Sequence, residues 1–288
     1  MTLLTRQTEA VIQGIQRSRP LDSIGRALTL GFARVVRPGK LKDLVSGTWL
    51  GHPLHPLLTD VPIGSWTSAF VLDLLGGEAA QGAADMLIGL GVVSAVPTAV
   101  TGLSELADVT EKGERSVGSA HAIGNVTAVA LFGMSYALRR RGKRGPGTAL
   151  SLAGAAVATA SAYLGGHLVF RQVVGPSRAL DGPLPDWTPV LDAGDLAEGK
   201  PKRVTVGGGQ IMLYKEGGRT YALINRCSHR GGPLHKGTVG HGRATCPWHL
   251  SVFSLEDGSV IQGPATAPQP TYEVREREGK VEIRRLPL

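Results

Sequence analysis

The chain has 288 residues, a formal net charge of +8 and only two cysteines. This length predicts about two domains, and two cysteines cannot build a disulfide framework. The basic residues fall in separate segments without interleaved aromatic side chains, so a nucleic-acid-binding protein is not expected. Residues before about 175 are rich in Ala, Gly, Val and Leu, and those after it alternate short apolar runs with turns. This change predicts a multi-domain chain, all-α and then all-β.

The N-terminal residues 1–50 are basic and contain no long apolar run. They lack the compact apolar core and the small-residue cleavage site of a secretory signal. We expect this segment to be partly amphipathic and to lie on a membrane surface. A loosely ordered tail is the alternative.

Four apolar segments follow, each about as long as a bilayer crossing requires. They cover residues 56–75, 83–103, 117–138 and 148–170. Gly, Ala, Ser and Thr recur in them, as in helices that approach each other closely in lipid. We predict a four-helix transmembrane bundle over residues 51–172, with a soluble helical domain as the alternative. The first segment is the least apolar, because it contains Asp60 and Asp73.

The first apolar segment opens with a distinctive motif, Gly51-His-Pro-Leu-His-Pro56, followed by Pro62-Ile-Gly64. This motif resembles the start of an uncharacterised family of bacterial four-span membrane proteins. The resemblance covers residues 48–172. It implies a membrane topology but no activity.

Alternating helix directions place the starts of spans one and three and the ends of spans two and four on one side of the membrane. His55, His121 and His167 lie at these positions. Ionisable groups at the hydrocarbon edge are costly and often functional. His167 with His121 or His55 could bind haem b or another metal, with Gly165 and Gly166 leaving room for a flat macrocycle. A quinone site and simple capping of helix ends by hydrogen bonds are the alternatives.

A turn-rich linker over residues 173–186 leads to the C-terminal half, residues 187–288. Apolar and polar residues alternate there between glycine-rich breaks, as in half-buried antiparallel strands. We predict strands at residues 203–206, 210–214, 220–224, 272–277 and 281–285. The expected fold is a small β-sandwich with loops at its tip.

Both cysteines lie in short motifs, Cys227-Ser-His229 and Cys246-Pro-Trp-His249. Thiolate and imidazole in this spacing indicate a metal centre. Each motif supplies one Cys and one His, which suits a [2Fe–2S] cluster of the Rieske kind, with two Cys on one iron and two His on the other. A tetrahedral zinc site with the same four ligands is the alternative.

The residues around these motifs resemble the cluster loops and the proline loop of Rieske ferredoxins. The resemblance covers residues 186–286 and is carried by the two Cys/His loops and by Gly263-Pro-Ala265. It implies that Cys227, His229, Cys246 and His249 hold a [2Fe–2S] cluster that transfers single electrons. Proteins of the four-span family above are sometimes fused to such a domain.

Three residues of the second loop bear on the reduction potential. Leu250 stands where the family usually has Gly, which would alter the cover over the cluster. Ser251 stands where high-potential members have a serine that bonds a bridging sulfide, and Phe253 replaces their tyrosine. We therefore expect an intermediate potential. His235 and His241 lie between the loops without ligand spacing and are interpreted as surface histidines.

Together these patterns predict a membrane-anchored Rieske protein. It would pass single electrons between a soluble redox partner protein and an acceptor at the lipid bilayer, a haem or a quinone of the helical half. The chain ends too soon after the second loop to hold the mononuclear-iron domain of a Rieske oxygenase catalytic subunit. A ferredoxin serving a separate oxygenase or reductase, and a zinc-stabilised non-redox scaffold, are the alternatives. The missing disulfide and signal favour a cytoplasmic Rieske domain.

Overall fold

The computed structural model describes residues 3–179 and 184–285, and these form two compact units. The first unit comprises Met1–Val36 and Leu54–Val174, and the second comprises Arg37–Pro53 and Gly175–Leu288. The first is helical and the second is mainly β. Residues 180–183 of the predicted linker lie outside the described residues.

Seven α-helices lie in the described part of the chain. They are α1 Leu3–Arg17, α2 Arg19–Val35, α3 Lys40–Ser46, α4 Leu54–Leu75, α5 Gln81–Ala107, α6 Lys112–Arg140 and α7 Arg144–Phe170. Helices α4 to α7 cover the four segments predicted as spans. Helix α3 belongs to the second unit.

Within the described residues, three helices are long and apolar enough to cross a membrane. They lie at Glu78–Ala107, Lys112–Arg140 and Arg144–Phe170. Large apolar side chains point away from the protein on these helices, and Met86, Val93 and Val126 are 67–73% exposed. Such surfaces suit contact with lipid and not with water. Helix α4 is less apolar, so the crossing of the first segment stays a prediction.

Small residues allow close helix contacts in the helical unit. The ring of Trp66 in α4 stacks on that of Phe132 in α6, with centroids 4.1 Å apart and planes within 8°. A Cβ on Gly91 of α5 would overlap the indole nitrogen of Trp66, so only glycine fits there. The fully buried Ile88 and Ala69 complete this cluster. Close approach through small residues is the interaction that helices in lipid rely on.

The acidic residue near the end of α4 is neutralised by two arginines. Asp73 accepts hydrogen bonds from Arg139 (2.5 and 2.8 Å) and from Arg144 (2.8 Å). Asp85 bonds the same two arginines at 3.2 and 3.0 Å. The Arg139 side chain is fully buried. Because each carboxylate faces two guanidinium groups, Asp73 is compatible with a buried position.

The N-terminal segment divides between the two units. Helices α1 and α2 pack on α6, where Asp22 forms ion pairs with Arg115 at 2.7 Å and with Arg26 at 3.1 Å. Residues 37–53 belong to the β unit. The placement of residues 1–50 on a membrane surface stays a prediction.

Ten β-strands lie in the described part of the second unit. They are β1 Leu184–Asp192, β2 Lys202–Val206, β3 Gly209–Glu216, β4 Arg219–Ile224, β5 Thr238–Gly240, β6 Arg243–Thr245, β7 Val252–Ser254, β8 Val260–Gln262, β9 Thr271–Arg277 and β10 Lys280–Arg285. One antiparallel sheet has the order β1-β10-β9-β4-β3-β2, and a smaller one has β5-β6-β7-β8.

The predicted strands are confirmed as β2, β3, β4, β9 and β10, with ends that differ by at most two residues. The four strands of the smaller sheet have three residues each and are not predicted, because alternation cannot show in so short a segment. Their inward side chains, such as Phe253 and Ala244, share a core with Met212 and Leu223 of the larger sheet. This core holds the smaller sheet and its loops in place.

Candidate metal centre

Two loops of the smaller sheet carry the predicted ligands, and a third segment lies beside them. The first loop runs from β4 to β5 and contains Cys227 and His229. The second runs from β6 to β7 and contains Cys246 and His249. The structure pairs the two cysteines with each other and the two histidines with each other, although the two loops are separated by two strands in the sequence.

The two cysteines form the inner half of the site. Cys227 and Cys246 are 1% and 2% exposed, and both are free thiols. A hydrogen bond from Cys227 lowers the pKa of the Cys246 thiol to about 7, aided by the backbone N–H groups of Trp248 and His249. The same bond and burial raise the pKa of Cys227 well above its ordinary value. The pair therefore yields its first proton readily, as a metal-binding thiol pair requires.

The two histidines form the outer half of the site. The rings of His229 and His249 are 5.0 Å apart between centroids and nearly perpendicular, at 84°. Both residues are partly exposed, in contrast to the cysteines. Two thiols on the inside and two imidazoles on the outside form two pairs of like ligands. This arrangement of ligand pairs matches a Rieske [2Fe–2S] cluster, in which one iron is bound by two Cys and the other by two His.

The backbone of the first loop leaves space only for glycine beside the thiols. A Cβ on Gly232 would lie 2.7 Å from Cys246 Sγ and 3.1 Å from the Trp248 ring. Backbone N–H groups of His229 and Arg230 are directed at Cys227, as those of Trp248 and His249 are at Cys246. Amides around paired thiols stabilise negative charge on sulfur, so these residues fit a [2Fe–2S] cluster.

Buried polar side chains anchor the first loop, and the sequence alone does not reveal them. Gln269 is 1% exposed. Its Nε2 donates to the carbonyls of Ile224 (2.6 Å) and Arg226 (2.8 Å), and its Oε1 accepts from Ser228 N at 2.9 Å. Ser228 Oγ in turn donates to the Ala267 carbonyl at 2.7 Å. A glutamine in a proline-rich run gives no sequence signal for this role.

The second loop closes on the segment after β8 through Ser251. Its backbone carbonyl accepts from Cys246 N at 2.8 Å, and its fully buried Oγ accepts from Ala265 N at 3.0 Å. Leu250 has φ +62°, a left-handed conformation that disfavours side chains with a Cβ. This geometry explains why glycine suits the position, and here the Leu250 side chain is 46% exposed.

The two histidines between the cluster loops, His235 and His241, have hydrogen-bond partners other than the four predicted ligands. His235 Nδ1 donates to Asn225 Oδ1 at 2.8 Å, and its backbone N–H donates to the same oxygen at 2.9 Å. His241 is exposed, and its backbone N–H donates to Glu216. His241 is the predicted surface histidine, whereas His235 is half-buried and helps to fix the first loop through Asn225.

The structure brings two of the three predicted membrane histidines together. The ring centroids of His55 and His121 are 6.5 Å apart. His55 Nδ1 donates to the Thr98 carbonyl at 2.9 Å, and His121 Nδ1 donates to the Ser161 carbonyl at 2.8 Å. Both bonds join neighbouring helices. A Cβ on Gly165 would lie 3.0 Å from His121, so the imidazole occupies the space predicted for a macrocycle.

His167 instead lines a cavity of about 330 Å³ together with Glu9 and Tyr163. Among residues 3–179 and 184–285, no group of three or more His, Cys, Asp or Glu side chains is placed to hold a single metal ion. A haem or quinone site at His55, His121 and His167 stays a prediction.

Two family models match separate parts of the chain. Residues 186–273 match the Rieske [2Fe-2S] domain, and residues 51–178 match a family described as predicted membrane protein (DUF2231). The first match lies within the β unit and the second covers helices α4 to α7, and they confirm both predicted resemblances.

Known proteins resemble the β unit. Apoptosis-inducing factor 3 of Mus musculus is 36% identical over 31% of this chain, which spans only 15% of that protein. Ferredoxin CarAc of Metapseudomonas resinovorans is 32% identical over 34% of this chain and 92% of its own length. A solved structure titled as the complex of reduced oxygenase and oxidized ferredoxin in carbazole 1,9a-dioxygenase is 31% identical. The match covers 34% of this chain and 92% of the matched chain in that structure, with a TM-score of 0.33.

The domain match and the near-complete coverage of a ferredoxin agree with the paired thiols and imidazoles of the two loops. A Rieske domain carries a [2Fe–2S] cluster, and such a cluster transfers single electrons. The chain therefore belongs to the Rieske [2Fe–2S] family through its β unit, joined to a predicted membrane domain with apolar helices.

Proposed function

We propose that the chain is a membrane-anchored electron carrier in which Cys227 and Cys246 bind one iron and His229 and His249 bind the other. The observation that carries this proposal is the arrangement of the quartet, with buried thiols inside and partly exposed imidazoles outside. When bound, the cluster accepts and releases one electron at a time. The residues around it exclude water from the sulfur side and leave the imidazole side accessible.

The partner surface of this proposal is the exposed tip of the second loop. Trp248 and Leu250 flank His249 and are 50% and 46% exposed. Large apolar side chains beside a partly exposed histidine give a protein partner a surface that it can bury close to the cluster. A soluble redox protein is the expected partner, and its electrons would pass through this tip.

The membrane half supplies the anchor. Three apolar helices support insertion in a bilayer, and the residues that match the membrane family include α4. We propose four spans with the Rieske domain in the cytoplasm, where two free thiols stay reduced. A haem or a quinone bound near His55, His121 or His167 would be the acceptor in this scheme.

Metal analysis and electron paramagnetic resonance (EPR) of the full chain, purified from membranes in detergent, test the proposal. We expect two irons per chain and a reduced [2Fe–2S] signal after dithionite. Cys246→Ser should abolish the signal, whereas the exposed His241→Ala should leave it unchanged. Stoichiometric zinc without iron would contradict the proposal and favour the non-redox scaffold.

A second candidate is a ferredoxin that serves a separate oxygenase or reductase. The similarity to ferredoxin CarAc favours it, together with a 33% identical relative of Escherichia coli named as a ferredoxin subunit of 3-phenylpropionate/cinnamic acid dioxygenase. Affinity purification of the full chain separates the candidates. Co-purification of an oxygenase or reductase subunit that oxidises the reduced cluster supports this one, and reduction of the cluster by quinol in membranes supports the self-contained carrier.

A further inference from the structure

The β unit includes a segment that lies far from it in the sequence. Residues 37–53, called the strap below, contain α3 and a short 3₁₀ turn at Thr48–Leu50, and they belong to the same compact unit as the Rieske strands. The strap ends one residue before α4 begins at Leu54. The polypeptide of the cluster unit is thus continuous with the first helix of the membrane domain.

Two side chains of the strap bond the loop that follows β8. Asp43 Oδ1 accepts a hydrogen bond from Gly263 N at 2.8 Å, across 220 residues of sequence. Thr48 Oγ1 donates to the Ala265 carbonyl at 3.2 Å, across 217 residues. One bond therefore holds each end of the short loop Gly263–Pro264–Ala265.

The fit between the strap and this loop is close. A Cβ on Gly263 would overlap Thr48 Oγ1 and would lie 2.9 Å from Asp43 Oδ1. Any other residue at this position would push the strap away. Gly263 and Ala265 are buried.

Polar contacts hold the strap in place. Helix α3 buries Lys42 and Ser46, while Leu41 and Leu44 are 50% and 55% exposed. A helix that docks through an amphipathic face buries its apolar residues, whereas α3 buries polar residues and exposes leucines. The position of the strap therefore depends on specific bonds such as those of Asp43 and Thr48.

The bonded loop also contacts the second cluster loop. Ala265 N–H donates to the buried Ser251 Oγ at 3.0 Å, and the Ser251 carbonyl accepts from Cys246 N at 2.8 Å. The path from Thr48 to the cysteine thus consists of three successive hydrogen bonds. Asp43 adds a negative charge on the same loop.

We propose that the strap is a positioning element of the cluster site, in which Asp43 and Thr48 hold the loop Gly263–Ala265 against Ser251 and so tune the reduction potential. The proposal rests on the proposed function, because it requires a cluster between the two Cys/His loops. Asp43 and Thr48 touch the loop and not the ligands. Release of the strap would loosen the loop and expose its amides to solvent.

The test uses the full chain in detergent with iron bound, in four variants. Asp43→Ala and Thr48→Val remove one bond each, Asp43→Asn keeps an acceptor but removes the charge, and Thr48→Ser keeps the hydroxyl. Leu44→Ala changes the exposed face of the same helix and is the matched control. Hydrogen–deuterium exchange of residues 262–266 and an EPR-monitored redox titration are measured on each protein.

We expect Asp43→Ala and Thr48→Val to raise the hydrogen–deuterium exchange rate of the loop about tenfold. Each variant loses one hydrogen bond, and a loss of about 1.4 kcal/mol corresponds to a tenfold change. Thr48→Ser should restore protection. Asp43→Asn should keep protection yet raise the potential, since removal of a negative charge favours the more negative reduced cluster. Leu44→Ala should change neither the exchange rate of the loop nor the reduction potential.

Two results separate the proposals. If the unaltered chain shows no [2Fe–2S] signal, the proposed function fails, and the exchange data still report whether the strap protects the loop. If the signal is present but the Asp43→Ala and Thr48→Val proteins match Leu44→Ala in exchange and in potential, the positioning role of the strap is refuted.

Discussion

Replacement of Ser251 by alanine separates the structural role of this hydroxyl from its electronic role. Ser251 is fully buried, and its Oγ accepts from Ala265 N at 3.0 Å. The resemblance to high-potential Rieske proteins implies that the same hydroxyl donates its proton to a bridging sulfide. A hydroxyl can accept one bond and donate another, so both roles are compatible.

The two roles predict two magnitudes. Loss of the acceptor leaves the buried Ala265 N–H without its partner, which costs about 1–3 kcal/mol. A hydrogen bond to a charged acceptor contributes about 1.5–3 kcal/mol. We take about half of this hydrogen-bond energy as the difference between the reduced and the oxidised cluster. Since a tenfold change in equilibrium constant equals 59 mV for one electron, the reduction potential of Ser251→Ala should fall by about 30–65 mV. The sign is negative because the donated bond favours the more negative reduced form.

The assay combines an EPR-monitored redox titration with thermal unfolding of the full chain in detergent. A loss of 1–3 kcal/mol should lower the unfolding midpoint of the β unit by at least about 4 °C. Ser254→Ala is the control, because Ser254 lies three residues away at the end of β7 and its hydroxyl accepts from exposed turn amides, Glu256 N and Asp257 N. If the potential of Ser251→Ala equals that of Ser254→Ala, the hydroxyl makes no bond to the cluster. An unchanged midpoint would refute the importance of the Ala265 bond.

Three further substitutions test other parts of the chain. Arg139→Met should destabilise the helical unit by about 3–5 kcal/mol, because it removes a fully buried partner of Asp73, whereas Arg144→Met, whose side chain is 27% exposed, should cost about 1 kcal/mol; equal losses in thermal unfolding would contradict this ranking. His167→Ala should abolish any haem absorbance of purified membranes while sparing the cluster signal, and haem absorbance that persists would return His167 to a structural role. Leu250→Gly should change the unfolding free energy by less than about 1 kcal/mol, since relief of the left-handed strain offsets the added chain entropy; a loss above about 2 kcal/mol in denaturant titration would refute this balance.

The metal centre could be predicted because its chemistry needs particular residue types at close spacing. Two Cys and two His in paired motifs are typical of metal binding, and both cysteines of the chain lie in these motifs. Five strands could be predicted from alternation, and the apolar helices from length and composition, whereas β1 is not predicted and its first residues fall within the predicted linker. These signals are local, so one sequence is enough to read them.

The environment of the ligands could not be predicted in the same way. Gln269 and Asn225 hold the first loop through buried hydrogen bonds, yet each is an ordinary polar residue in its local sequence. The smaller sheet consists of three-residue strands, which gain their order from the core around Phe253 and not from local preference. Contacts of this kind depend on tertiary structure, and a single sequence carries no trace of them.

The membrane histidines show how a grouping can be predicted when the chemistry of its members is not. Helix alternation predicts that His55 and His121 lie on the same side, and the structure places their rings 6.5 Å apart. Each ring also donates a hydrogen bond to a carbonyl of a neighbouring helix. These bonds give the two rings a role in joining neighbouring helices, and a haem or quinone at the same histidines stays a prediction.

The strap is the clearest case of a contact hidden from sequence reading. Residues 1–50 are basic and contain no long apolar run, so the sequence predicts one basic surface segment. The decisive residues are instead Asp43 and Thr48, whose partners lie 220 and 217 residues away. Since α3 exposes leucines and buries Lys42, hydropathy favours the wrong face of this helix. Asp43 and Thr48 bond a loop that in turn bonds Ser251 of the second cluster loop, so their proposed role becomes visible only in the folded chain.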